Sequence, residues 1–170
     1  MTEAVFIPLR GEDREAKARA NKAAGYRCSQ QISCSFAEDL HMDRDLLVRL
    51  GMPFGSGMGR GQVCGCIVGG LMVLGLRFAS AAIGDKAARK VLTRKQHAFL
   101  HQFEERHGSL ICRELTGRTR QQDAPDPAAG GSFFTNSCLD LMVSASRLLE
   151  DLLADEEENG PSAGQPEARP

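Results

Sequence analysis

Six cysteines stand at positions 28, 34, 64, 66, 112 and 138, and four of them occupy places that favour a reactive thiol. Cys64 follows a glycine-rich turn, Gly55-Ser-Gly-Met-Gly-Arg-Gly61, Cys112 follows Gly108-Ser109, and Cys138 follows Thr135-Asn-Ser137. Ser, Thr and Asn are helix N-cap residues, so these three thiols are expected in first helical turns. Unpaired backbone N–H groups and the positive end of the helix dipole there favour a thiolate over a thiol. Cys28 is expected on the apolar stripe of a further helix. Thiolates are the nucleophiles and metal ligands of proteins, so this placement points to redox or metal chemistry. The bland alternative is packing, since unpaired cysteine is among the most buried residue types.

Composition narrows the setting. The chain has 170 residues, enough for one domain with a real core, and a net charge of −1 with no basic stripe, which argues against a nucleic-acid partner. The start, Met1-Thr-Glu-Ala-Val5, lacks the basic and apolar regions of a secretory signal. The most apolar run, Val63 to Phe78, contains four glycines and is shorter than the ~20 residues needed to span a bilayer, so it reads as a buried core helix. A cytoplasmic, reducing setting is therefore expected, where cysteines more often serve metal or redox chemistry than structural disulfides.

The elements that must position the thiols are helical throughout. Residues 1–11 are expected to be a flexible lead, residues 12–154 a helical domain, and residues 155–170 a disordered acidic and proline-containing tail. A helical segment from about Glu12 to Leu40 carries Cys28, Ile32, Phe36 and Leu40 at i+4 spacing. Cys34 lies roughly 240° round such a helix from Cys28 and is assigned to packing. A short helix, Asp43 to Leu50, stops at Gly51-Met-Pro53, and the glycine-rich loop leads into the helix Cys64 to Phe78. Gly65, Gly69, Gly70 and Gly75 weaken that helix intrinsically but allow close backbone approach. Asp85 can cap Lys86 to His107, whose inner face holds Leu92, Phe99 and Phe103, with Gly108 as its stop. Ser109 to Leu115 forms a short helix, Gln121 to Gly131 a loop, and Ser137-x-x-Asp140 opens the last helix. Along that helix Cys138, Met142, Ala145, Leu149 and Leu152 form the buried stripe. The fold class is all-α: one domain, a bundle of five or six helices around a central Gly-rich apolar helix.

The segment Gly57-Met-Gly-Arg-Gly-Gln-Val-Cys64-Gly-Cys-Ile-Val-Gly-Gly-Leu-Met-Val-Leu-Gly-Leu76 resembles the centre of a small bacterial family of redox-active proteins. That family is named C_GCAxxG_C_C, for four cysteines around a Gly-Cys-Ala-x-x-Gly type motif. Arg27-Cys28-Ser29-Gln30-Gln31 is similar to its first cysteine segment, His97 to Phe103 followed by Gly108-Ser109-Leu-Ile-Cys112-Arg-Glu-Leu115 to its third, and Cys138 to its fourth. The resemblance spans about Ala20 to Leu153. The preferred register takes Cys64 as the second family cysteine; a second register, Gly65-Cys66-Ile-x-x-Gly70, takes Cys66 instead. Inside one helix Cys64 and Cys66 lie about 200° apart, so only one could face a site, whereas a helix beginning after Cys66 would let both reach it.

The resemblance implies redox activity, and three chemistries follow for such a site. The leading expectation is an iron–sulfur cluster, [2Fe–2S] favoured, with Cys28, Cys64, Cys112 and Cys138 as ligands for electron transfer or sensing. The family's redox character favours iron over zinc, which does no redox chemistry. The alternative is a thiol–disulfide oxidoreductase using a cysteine pair, with no cofactor. Cys64-Gly-Cys66 is close enough in sequence to form a strained, oxidising disulfide. The third reading is a helical interaction protein with structural cysteines or zinc. A redox partner is implied but not named, and the Gly-rich helix could equally pack against a second chain in an oligomer.

Other titratable groups carry less. His97 and His101 form an i, i+4 pair amid Arg94, Lys95, Gln102 and Glu105, which reads as a solvated face. His107 sits in a last helical turn, where a cation is favoured. Arg60 and Arg113 are placed either to hold thiolates ionised or simply to face solvent.

Overall fold

The computed structural model describes residues 5–117 and 136–155. Seven α-helices occur among them: α1 (Arg14–Ala23), α2 (Cys28–Ser35), α3 (Arg44–Gly51), α4 (Gly65–Phe78), α5 (Lys86–His107), α6 (Cys112–Thr116) and α7 (Asn136–Ala154). The described residues contain no strand, only an isolated antiparallel bridge between Val63 and Ile111. The protein is an all-α single domain.

The helix count exceeds five or six because the segment expected as one helix from Glu12 to Leu40 is two. Gly25, at φ +88°, ends α1 in the left-handed conformation that glycine adopts without steric cost. Arg27 is then extended, and α2 restarts at Cys28, with the Arg27 N–H held by Gln30 Oε1 at 2.9 Å. The break converts Cys28 from a mid-helix stripe residue into the first residue of a helix.

Every residue of α2 is buried, polar ones included. Each polar side chain finds a backbone partner: Ser29 Oγ donates to Gly51 C=O at 2.6 Å, Gln30 Nε2 to Val48 C=O at 2.9 Å, and Gln31 Nε2 to Tyr26 C=O at 3.0 Å. These bonds offset part of the cost of removing the polar groups from water, with Gln31 Oε1 left unmatched, and those to Gly51 and Val48 tie α2 to the end of α3.

Helix α4 is the hub, packed on α2, α5 and α7. Gly69 and Gly70 permit close approach at two of these contacts. A Cβ on Gly69 would stand 2.8 Å from Ile32 Cβ and from Ser29 O of α2, and one on Gly70 would overlap the Phe99 ring of α5. Gly75 serves no such contact, with nothing within 4 Å of the corresponding position. Phe99, Phe103, Ile32, Ile67, Leu74 and Met142 are almost wholly buried in the same cluster, each contributing ~1.5–3 kcal/mol. The stripe Cys138, Met142, Ala145, Leu149, Leu152 on α7 is buried along its length. Asp43 and Asp85 cap α3 and α5 by accepting from the N–H groups of Leu46 and Ala88, and Gly108 closes α5 at φ +80°.

Both ends of the described chain are fastened. The lead over residues 5–11, expected to be flexible, docks: Leu9 is fully buried, and Asn21 grips the backbone of Ile7 at both its N–H and its C=O. Apolar residues outweigh position in the chain here, because Phe6 and Leu9 have a surface to cover. At the other end the buried Lys95 donates to Leu152 C=O at 2.6 Å, lies 3.9 Å from Asp155, and stands over the Phe78 ring. The expected loop at 121–131 and the tail beyond Asp155 lie outside the described residues.

Candidate functional site

The starts of α4 and α6 are tied together before either helix begins. Cys64 N–H donates to Leu110 C=O at 2.9 Å, and Cys112 N–H donates to Gln62 C=O at 2.6 Å, around the Val63–Ile111 bridge. Two segments distant in sequence are thereby set side by side, each ending in a cysteine at a helix start. Arg113 Nη2 adds a bond to Arg60 C=O at 2.7 Å. Cys28 enters from the first turn of α2 and Cys138 from the first turn of α7.

These elements enclose one small cavity of about 10 Å³, lined by Cys28, Cys64, Cys66, Cys112 and Cys138 with Ser56, Thr116 and Leu141. All four expected site cysteines meet there, and Cys66 makes a fifth. Each is buried, and none of the six cysteines is in a disulfide. Cys34 does not line the cavity; it packs with Phe6, Ala37 and Leu47 in a separate cluster, where burial raises its pKa.

Cys64 and Cys66 both face the cavity although α4 starts before Cys66, at Gly65. The 200° separation does not apply, because Cys64 is the residue preceding the helix and has extended backbone, ψ 137°. Its side chain leaves in a direction that no helical position would give.

The glycine-rich loop presses on the site from outside. Ser56, Gly57, Met58, Gly59 and Gly61 all have positive φ, between +56° and +67°. For Ser56 and Met58 that left-handed conformation costs ~1–2 kcal/mol each, strain held by the surrounding packing. One product is a backbone N–H, that of Ser56, aimed at Cys28 Sγ. Gly57 gives the room: a Cβ there would stand 2.8 Å from Cys112 Cβ.

Cys28 and Cys66 have opposite titrations. A hydrogen bond with the Cys66 side chain lowers the Cys28 pKa to about 6, with backbone N–H groups of Ser56, Ser29 and Cys28 acting in the same direction against the effect of burial. The same bond, together with one to Cys64 and burial, raises Cys66 well above the ordinary thiol value. The arrangement favours the thiolate on Cys28 and the thiol on Cys66. Arg60 and Arg113 are not among the groups that shift Cys28. His97 and His101 lie exposed, His101 paired with Glu105 at 3.2 Å. His107, expected as a helix-end cation, is instead half-buried against Phe103 and bonded to Ser144 Oγ at 2.8 Å, and burial lowers its pKa.

A family model described as "Putative redox-active protein (C_GCAxxG_C_C)" matches residues 26–152. The chain belongs to the C_GCAxxG_C_C family. No curated protein and no solved structure matches it. The family's pattern of letters falls on Gly65-Cys66-Ile67-Val68-Gly69-Gly70, with Ile67 where the pattern has Ala, whereas Cys64 is preceded by Val63 and followed four positions on by Val68. The second register is thus the literal match to the letters of that name.

Cys28, Cys64, Cys112 and Cys138 share one small cavity. The enclosed space is on the order of one water-sized centre, so a two-iron core would require the thiols to spread apart. Among the described residues no group of three or more His, Cys, Asp or Glu side chains is arranged to hold a metal ion. No helix there is long and apolar enough to cross a membrane.

Proposed function

We propose that this family member is a thiol–disulfide redox protein in which Cys28 is the nucleophile and Cys66 its partner. The observation that carries the reading is the meeting of Cys28 and Cys66 in one small cavity, where the two side chains are hydrogen-bond partners. The Cys28 thiolate attacks one sulfur of a disulfide substrate, forming a mixed disulfide and expelling a substrate thiolate. Cys66 then attacks Cys28 Sγ, and its proton passes to the second substrate thiolate as that group leaves. Two electrons move from the protein to the substrate, and a Cys28–Cys66 disulfide remains. A nucleophile with a pKa near the working pH suits this exchange, because the thiolate is populated without losing much nucleophilicity.

A cysteine-ligated centre is the second reading, favoured by the arrival of thiols from four helix starts at one cavity. Cys28, Cys64, Cys112 and Cys138 would hold a [2Fe–2S] cluster for electron transfer or sensing, or a structural zinc. The N–H groups of Ser29 and Ser56 at Cys28 Sγ would partly offset the negative charge there, which favours reduction.

Anaerobic purification followed by a visible spectrum, iron and zinc analysis and a thiol count separates these. Colourless, metal-free protein that loses two thiols on mild oxidation and regains them on reduction supports the pair. Brown protein with about two irons per chain, bleached by dithionite, overturns it in favour of the cluster. Stoichiometric zinc with inert thiols leaves a structural site, and metal-free protein with inert thiols leaves a helical interaction protein.

A further inference from the structure

Cys64 is the sulfur in this cavity that neither the family pattern nor the Cys28–Cys66 pair accounts for. It is 4% exposed, it lines the same cavity, and the Cys66 thiol touches it as well as Cys28. Cys66 therefore sits between two sulfurs rather than beside one. Cys64 is extended with its N–H held by Leu110 C=O, Gly65 opens the helix, and Cys28, Cys64 and Cys66 all line the one cavity. Such a row is the arrangement that thiol–disulfide exchange needs, an attacking sulfur, a central sulfur and a leaving sulfur.

We infer that Cys64 is a resolving thiol that takes Cys66 from the Cys28–Cys66 disulfide, storing the oxidation as a Cys64–Cys66 loop and releasing Cys28. The inference rests on the proposed Cys28–Cys66 chemistry. In the step, Cys64 gives its proton to water and its sulfur attacks Cys66 Sγ. The Cys64–Cys66 bond forms, the Cys28–Cys66 bond breaks, and Cys28 leaves with the electron pair as a thiolate. No electrons leave the protein, so no further oxidant is needed. Ser56 lines the cavity with Cys28, and Cys28 is the first residue of α2, so the departing sulfur sits at a helix start that favours a thiolate and offsets the strain of a loop only three residues long. The nucleophile is then ready for a second disulfide substrate while the first pair of electrons has already been delivered.

Trypsin makes the outcome readable, because cleavage after Arg27, Arg44, Arg60 and Arg77 puts Cys28 and Cys34 in peptide 28–44 and Cys64 and Cys66 in peptide 61–77. The full chain, with Cys34→Ser in the background, is reduced, oxidised with glutathione disulfide, quenched in acid, alkylated and digested. The expected product is peptide 61–77 two hydrogens lighter and unalkylated, with Cys28 alkylated, while Cys64→Ser accumulates the cross-link between 28–44 and 61–77 instead. A persistent cross-link in the presence of Cys64, with Cys64 alkylated, overturns the inference and leaves the Cys28–Cys66 pair standing. If neither species forms, the pair itself is wrong. Should Cys64→Ser fail to fold, a time course with Cys64 intact decides the matter: the cross-link must rise and then decay into the loop, and a loop that forms without it overturns the exchange.

Discussion

Gly65 carries no side chain because the sulfur of Cys28 occupies the space: a Cβ built on Gly65 would overlap Cys28 Sγ and come within 3.1 Å of Ser29 N and 3.2 Å of Phe54 O. The glycine that precedes the motif cysteine is thus a spacer between α4 and α2, and it brings Cys66 within reach of Cys28. Gly65→Ala should cost ~1–3 kcal/mol by overpacking and slow alkylation of Cys28 at neutral pH. Gly75→Ala, in open space on the same helix, should stabilise by ~0.5–1 kcal/mol. Thermal midpoints of the two variants should move in opposite directions; a common shift would remove the spacer argument.

The alkylation rate of Cys28, followed by peptide mass, should rise with pH and reach half its maximum near the pKa of about 6. Cys66→Ala removes the thiol donor and should move that midpoint upward, whereas Cys66→Ser keeps an O–H donor and should move it less. An unchanged midpoint in Cys66→Ala would mean that the backbone N–H groups alone hold the thiolate.

Stability should follow the same titration. The pKa of Cys28 is depressed in the fold, so its contribution is complete above the ordinary value of 9.0 and is lost as pH falls through about 6. Cys66 is shifted upward, so its contribution is complete below that ordinary value and lost at higher pH. The stability difference between the unaltered protein and Cys28→Ala should therefore grow from pH 6 toward 9, read as denaturant midpoints. A flat difference would contradict the folded-state thiolate.

Cys34→Ser should leave oxidation and alkylation of the cavity thiols unchanged, because Cys34 packs against Leu47 and Ala37 rather than in the cavity. The cost should be confined to stability, about 1 kcal/mol for a hydroxyl in an apolar setting. Loss of the redox-sensitive thiol pair in this variant would place Cys34 in the site.

Lys95→Met should lower the thermal midpoint while sparing Cys28 reactivity. Its ammonium bonds the Leu152 carbonyl at the end of α7, and the variant leaves that buried acceptor unmatched, a loss of ~1–3 kcal/mol. Reduced thiol reactivity at temperatures where the variant is folded would show that the end of α7 acts on its beginning, where Cys138 lies.

Local chemistry was legible in the residues themselves. Asp43 and Asp85 as caps, Gly108 as a stop and the stripe from Cys138 to Leu152 depend on partners within a few positions, so they could be read without a fold. The same rules put Cys112 and Cys138 in first helical turns, whereas Cys64 is the residue before α4, and Ile111 rather than Ser109 precedes α6. Burial of α2 did not follow from them, because Ser29, Gln30 and Gln31 look solvent-facing until the carbonyls of Gly51, Val48 and Tyr26 are brought to them. Nor did the docking of Leu9, or the helix break at Gly25 that sets Cys28 at a helix start. Only tertiary structure decided that Cys64 and Cys66 face one cavity and that Cys66 bonds Cys28. Those relationships depend on the pairing of residues 62–64 with 110–112 and on the contact of Gly65 with Cys28. The chain determined which thiols could be activated; long-range packing chose which of them touch.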